Sequence, residues 1–167
     1  IWEPPVCFSK DNSPDDTTTT EMGYQLEDLN GDGLVDIFLS KEPDGSPGFC
    51  GNDERSAWLN NGSGWLQDDS WEPPICALTY DAKDKGYRFL DVNGDSLVDI
   101  IRGMGGTSGG GCTASERYAW INNATYDNGS RWVRNDQWEP PDCLITSTSA
   151  DRGYRFADVN GDGLVDI

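Results

Sequence analysis

The chain contains no histidine. That absence removes the commonest general base, the Ser-His-Asp and Cys-His arrangements, and the commonest zinc ligand. Carboxylates alone can hydrolyse glycosides, but no acidic pair outside the repeated turns described below recurs, and the chain is read as non-enzymatic. Basic residues are scarce: 12 Lys and Arg stand against 30 Asp and Glu, a formal charge of −18 over 167 residues with a pI near 4.1. So acidic a surface repels phosphate backbones and anionic lipid, which excludes nucleic acid as a partner. No apolar run reaches the ~18 residues that a membrane-spanning helix needs, so no membrane insertion is expected. An initiating Met and a signal-peptide pattern are also missing, and the chain is expected to be a processed protein or a segment of a longer one. The mean hydropathy is −0.64, yet seven Trp, six Tyr and five Phe are more aromatic residues than disordered acidic chains carry. Twenty Gly and nine Pro imply short strands joined by many turns.

What the sequence does contain is a repeat. Trp-Glu-Pro-Pro begins at Trp2, Trp71 and Trp138. A longer signature begins at Tyr24 (YQLEDLNGDGLVDI), Tyr87 (YRFLDVNGDSLVDI) and Tyr154 (YRFADVNGDGLVDI). Between them lie ERSAWLNNGSGW from Glu54 and SERYAWINNATYDNGSRW from Ser115. Residues 1–23 are therefore the end of a preceding unit and its connecting loop, 24–86 the first full repeat, 87–153 the second, and 154–167 the start of a third.

Each unit reads as four short strands: Tyr87 to Asp91, Leu97 to Ile101, Ala119 to Ile121 and Arg131 to Val133 in the second repeat. Four strands per unit fit a blade, and the expected fold is all-β: a β-propeller-type array of four-stranded blades, about two full and partial at both ends. A β-sandwich is the alternative, but it would not repeat its turn chemistry so closely. About 4–8 blades close a propeller, so the expectation is a piece of a longer repeat protein, or a protomer whose blades identical chains complete as a ring or fibre.

Three nine-residue turns carry side-chain oxygens at positions 1, 3, 5 and 9: Asp28-Asn30-Asp32-Asp36, Asp91-Asn93-Asp95-Asp99 and Asp158-Asn160-Asp162-Asp166. Calcium takes about 6–8 oxygen ligands, with a backbone carbonyl near position 7, here Leu34, Leu97 or Leu164. Packed carboxylates without a cation repel one another, and nine of the 30 acidic residues sit in these turns. About three calcium ions per chain are expected. An EF-hand needs a Glu at position 12 and flanking helices; Leu39 and Arg102 stand there and the flanks read as strands. Asx-rich turns that bind nothing are the simpler reading of any one turn, and the threefold recurrence argues against it. Ser96 fills the position-6 glycine slot of the second turn, where a weaker or slightly distorted site is expected.

The F/Y-x-x-D-x-N-G-D-G-x-x-D-I signature followed by a W-L-N-N-G strand resembles FG-GAP/VCBS repeats, the calcium-loop blades of integrin-α-type β-propellers, of some fungal and bacterial lectins and of bacterial toxin-complex proteins. The resemblance covers nearly the whole chain. It implies structural calcium in the turns named above, between the first and second strands of each blade. The recurring Trp-Glu-Pro-Pro-x-Cys segment and the paired cysteines are not general features of that family. A structural or adhesive module at the cell surface or outside the cell is the reading that follows, with neighbouring repeats, identical chains, glycans or cell-surface proteins as partners. A carbohydrate-binding lectin and a toxin-complex fragment are the alternatives.

Cys7, Cys76 and Cys143 each follow Trp-Glu-Pro-Pro by one residue, and Cys50 and Cys112 share a second position in the repeat. One disulfide per repeat in an oxidising compartment follows. Two pairings are open: Cys50–Cys76 with Cys112–Cys143, or Cys7–Cys50 with Cys76–Cys112. Asn61, Asn123 and Asn128 begin N-glycosylation triplets. The stretch from Phe8 to Gly23, with the Thr17–Thr20 run, reads as a solvated loop. Trp58, Trp65, Trp120 and Trp132 read as packing core, Trp-Glu-Pro-Pro as an extended approach to the next blade, and Glu54-Arg55 and Glu116-Arg117 as surface or inter-blade ion pairs.

Overall fold

The computed structural model of the chain describes residues 3–11, 19–43, 50, 55–106, 112, 116–127 and 130–167. Trp2, Thr17, Thr18, Glu54 and Asn128 lie outside the described residues, and Thr19 and Thr20 are described by their backbone alone. The chain forms two compact units, residues 1–83 and 84–167.

The first unit contains β1 (Ser9–Asp11), β2 (Thr19–Glu21), β3 (Tyr24–Glu27), β4 (Asp36–Ser40), β5 (Arg55–Asn60) and β6 (Trp65–Gln67). β3 to β6 form one antiparallel sheet in chain order, each strand beside its successor. The second unit repeats this with β7 (Tyr87–Leu90), β8 (Asp99–Gly103), β9 (Arg117–Asp127) and β10 (Ser130–Arg134). The all-β class expected from the sequence is thus present as two four-stranded antiparallel sheets. The second strands start later than the sequence suggests, at Asp36 and Asp99. Leu97 still belongs to the turn, where its N–H donates to Asp95 Oδ1 at 2.9 Å.

The region read as a solvated loop is in part a hairpin, with Ser9 opposite Glu21 and Asp11 opposite Thr19. β-branched threonines suit a strand, and the hairpin brings the Phe8 ring edge-on to Tyr24 at 5.8 Å.

Successive residues of a strand point to opposite faces. Ile37 and Phe38 on β4, and Ile100 and Ile101 on β8, are each at most 1% exposed, so both sheets are covered on both faces. In the second unit Ile101, Ala119 and Leu144 form a core packed by Leu90, Val92, Tyr154 and Phe156. Tyr154 and Phe156 open the third repeat, so one repeat begins by laying aromatics on the sheet of the repeat before it. The Tyr154 hydroxyl donates to Asp142 Oδ2 at 2.5 Å, and Ala157 pairs with Asp166 across the third turn.

Trp-Glu-Pro-Pro is anchored on its own unit, and in the second unit Trp138, Glu139 and Pro140 also line a pocket with Phe156, Val165 and Ile167 of the third repeat. A 3-10 turn, Asp69–Trp71, is capped by Asp68 Oδ1, which accepts from the Ser70 N–H. Asn135 caps the equivalent Asp136–Trp138. Arg55 on β5 then pairs with Glu72 at 3.3 Å and donates to Pro73 O, while Arg117 on β9 pairs with Glu139 at 2.9 Å and donates to Pro140 O and Pro141 O. Both arginines thus reach the glutamate of the Trp-Glu-Pro-Pro segment of their own repeat, and the expected Glu54–Arg55 pair lies outside the described residues. Disulfides Cys50–Cys76 and Cys112–Cys143 fasten the end of that segment to the loop before the third strand, and Cys7 is free and exposed.

Candidate metal centre

Each acidic turn is held by a ladder of side-chain acceptors on backbone donors. In the first, Asp28 Oδ1 accepts from the N–H of Gly31 (2.8 Å) and Asp32 (3.2 Å), and Oδ2 from Gly33 (2.8 Å). Asn30 Oδ1 accepts from Asp32 N–H and Asp32 Oδ1 from Leu34 N–H. The Asn30 amide donates to Asp32 Oδ2 at 3.1 Å, which joins positions 3 and 5 directly. The second turn repeats this with Asp91 on Gly94 and Ser96, Asn93 on Asp95, and Asp95 on Leu97. The third does so with Asp158 on Gly161, Asp162 and Gly163, Asn160 on Asp162, and Asp162 on Leu164. Left-handed conformations make the curl: Gly31 and Gly33 lie at φ +76° and +84°, where a residue without Cβ is least strained. Ser96 takes the same conformation at φ +69°, and its N–H reaches Asp91 Oδ2 at 2.8 Å as Gly33 N–H reaches Asp28.

Position 9 is different. Asp36 and Asp99 are fully buried. Asp36 Oδ2 accepts from Leu29 N–H at the start of the turn, and Oδ1 from Asn60 N–H at the end of β5 at 2.7 Å. Asp99 does the same with Val92 and Asn122, at 3.1 and 2.9 Å. Each carboxylate thus ties its turn to the third strand. Burial pushes both carboxyls up to about 6, and the neighbouring charges Asp32 and Asp28, or Asp95 and Asp91, push the same way against the pull of the two N–H donors. Asp166 accepts from Val159 N–H at 2.9 Å. At position 1 the balance is reversed in the third turn, where the N–H groups of Gly163 and Gly161 hold Asp158 below the usual carboxylate range.

The donor set is all oxygen and carries three negative charges per turn, which suits a hard cation. Each carboxylate oxygen that accepts one N–H keeps a further lone pair. Among the described residues no ion pair reaches a turn carboxylate; the paired acids are Glu72, Asp81, Asp84, Asp136, Glu139, Asp142 and Asp151. The turns do not gather the carboxylates of positions 1, 5 and 9 within 4.8 Å of one another. Among the described residues the group that meets this distance is Cys112, Asp142 and Cys143. Those two sulfurs are bonded to each other, so they offer no thiolate, and Asp142 is occupied by Tyr154 and Arg152.

The second and third turns also touch. A Cβ on Gly94, position 4 of the second turn, would lie 2.5 Å from Leu164 Cδ2 of the third. Sequence reasoning missed this contact and the anchoring of position 9 by the backbone N–H groups of Asn60 and Asn122, which any residue but proline could supply and which therefore leave no mark in the sequence. It also missed a cation–π ladder across the second sheet, in which Arg102 lies 5.4 and 5.1 Å from the rings of Tyr87 and Tyr118, and Arg134 4.3 Å from Tyr118. No family model, curated protein or solved structure matches the chain.

Proposed function

We propose that the chain is a non-enzymatic, extracellular calcium-binding repeat module of the β-propeller type, with a structural or adhesive role. The observation that carries the reading is the threefold recurrence of one turn. The same oxygens are held by the same N–H ladder, and no described cation balances them. Side-chain oxygens of Asp28, Asn30 and Asp32, the Leu34 carbonyl and the Asp36 carboxylate would hold the ion in the first turn, with Asp91 to Asp99 and Asp158 to Asp166 as its equivalents. Calcium supplies the missing positive charge and draws strands one and two of a repeat together. Asp36 and Asp99 carry that constraint into β5 and β9 through Asn60 and Asn122. The two disulfides fit an oxidising compartment. The stacking of Tyr154 and Phe156 on the second sheet fits blade-upon-blade growth, with neighbouring repeats or identical chains as partners.

Thermal unfolding in millimolar calcium and in chelator tests the proposal. A ligand that binds only the folded state stabilises it by about 4 kcal/mol per site at a thousandfold excess over Kd, so chelation should lower the Tm by many degrees. Superimposable melting curves would overturn the reading.

A further inference from the structure

We infer that Asn61 is an attachment site for an N-linked oligosaccharide, set beside the first acidic turn. The inference rests on the extracellular reading and on geometry that separates Asn61 from the other two sequons. Asn61-Gly62-Ser63 forms the exposed tip between β5 and β6, closed by Asn61 N–H on Gly64 O at 3.0 Å. Asn123 is half-buried within β9, next to the fully buried Asn122, and Asn128 lies outside the described residues.

At the tip, Asn61 Oδ1 accepts from both the Ser63 N–H (3.0 Å) and the Ser63 hydroxyl (2.8 Å). Both bonds use the carbonyl oxygen and leave the amide nitrogen uncommitted among the described residues. The tip is also fixed from below. Asn60 N–H donates to Asp36, its side-chain amide donates to Val35 O, and its Oδ1 accepts from Gly62 N–H. A glycan on Asn61 is therefore attached to a rigid corner.

What surrounds that corner suits a sugar. A Cβ on Gly62 would lie 3.9 Å from Leu34 Cδ1, and Leu34 and Val35 are 36% and 50% exposed. A sugar on Asn61, the residue next to Gly62, would cover apolar surface that Leu34 leaves in water. In the transfer, Asn61 Nδ2 attacks the anomeric carbon of a polyprenyl-diphosphate-linked oligosaccharide supplied by the host secretory machinery. The C1–N bond forms, the C1–O bond to the diphosphate breaks, the amide proton goes to base and the polyprenyl diphosphate leaves.

The test is to secrete the chain from a eukaryotic cell line, confirm both disulfides by mass, and release N-glycans enzymatically in heavy-oxygen water. Asn61 should return as labelled Asp in most molecules, and N61Q and S63A should each lose one glycan mass. Disulfide-bonded material in which Asn61 is unmodified would overturn the assignment, as would a glycan confined to Asn123 or Asn128. Calcium-dependent melting of the N61Q chain reports on the module reading separately, because that substitution leaves every turn oxygen in place.

Discussion

Ser40 and Gly103 occupy the same place at the end of the second strand of their repeats, and the two units use that place differently. Ser40 Oγ donates to Ile75 O at 2.8 Å and is itself close to Ala77 N–H, at 2.9 Å. Gly103 has no side chain to offer. The returning segment comes so close that a Cβ there would stand 2.9 Å from Asp142 O and from Leu144 N. The backbone bonds are nonetheless the same: Ser40 O accepts from Ala77 and Leu78, and Gly103 O from Leu144 and Ile145. The repeat conserves a path of the main chain, and the side chain at that point either bonds the returning strand or yields room to it. The faces of the sheets differ similarly. Arg102, Tyr118 and Arg134 build the cation–π ladder of the second sheet, while Leu39, Ser56 and Gln67 fill the matching positions of the first.

The largest expected effect concerns what the repeats share with each other but only partly with the third turn. Asp36→Ala or Asp99→Ala leaves two N–H groups without their acceptor, at a site fully buried in the folded protein. Each unsatisfied buried donor costs about 1–3 kcal/mol, and relief of like-charge repulsion returns part of it. Denaturant unfolding in chelator should show a loss of about 2–4 kcal/mol for either variant, and a clearly smaller loss for Asp166→Ala, whose carboxylate accepts from Val159 alone among the described residues. Equal losses at all three positions would show that position 9 acts through its charge and not as a tie to the third strand.

That tie marks where legibility in the sequence ends. The D-x-N-x-D alternation announced the turns because each oxygen and each glycine acts within nine residues, so sequence spacing and spatial spacing coincide. Asn60 bonding Asp36 spans 24 residues and depends on a register that no local pattern encodes. The Arg55–Glu72 pair is hidden for the same reason, since the strand that carries Arg55 has to be placed before Glu72 comes within reach. Leu97 and Val98 look like strand residues by composition, and only the Leu97 N–H bond to Asp95 places Leu97 in the turn. The β1–β2 hairpin is polar on both strands, so the apolar alternation that reveals a strand was missing.

A smaller effect is expected when Ser40 and Gly103 are exchanged. Gly103→Ser forces a Cβ against main-chain atoms at 2.9 Å, which cannot swing aside as a side-chain end can, and overpacking of this kind costs about 1–3 kcal/mol. Ser40→Gly removes a hydroxyl bond to Ile75 O from a buried site, for about 1 kcal/mol with a further fraction in backbone entropy. Both exchanges should destabilise in equilibrium unfolding even though each copies the other repeat. Were either neutral, the two returning segments would be interchangeable and the difference in their approach would carry no energy.

The smallest effect separates the second acidic turn from the other two. Ser96 stands at φ +69°, where Gly33 and Gly163 stand at +84°. A left-handed conformation costs an ordinary L-residue about 1–2 kcal/mol, and glycine offsets about 0.5–1 kcal/mol of that advantage by its greater freedom in the unfolded chain. Ser96→Gly should therefore stabilise by a few tenths of a kcal/mol to about 1 kcal/mol, and Gly33→Ser should destabilise by a similar amount. The N–H at this position bonds the position-1 carboxylate in every turn, so both variants keep the ladder and differ in strain alone. A Ser96→Gly chain that unfolds at lower denaturant would mean that the serine side chain itself supports the turn, and the second site would then be distinct in kind from its neighbours rather than a strained copy of them.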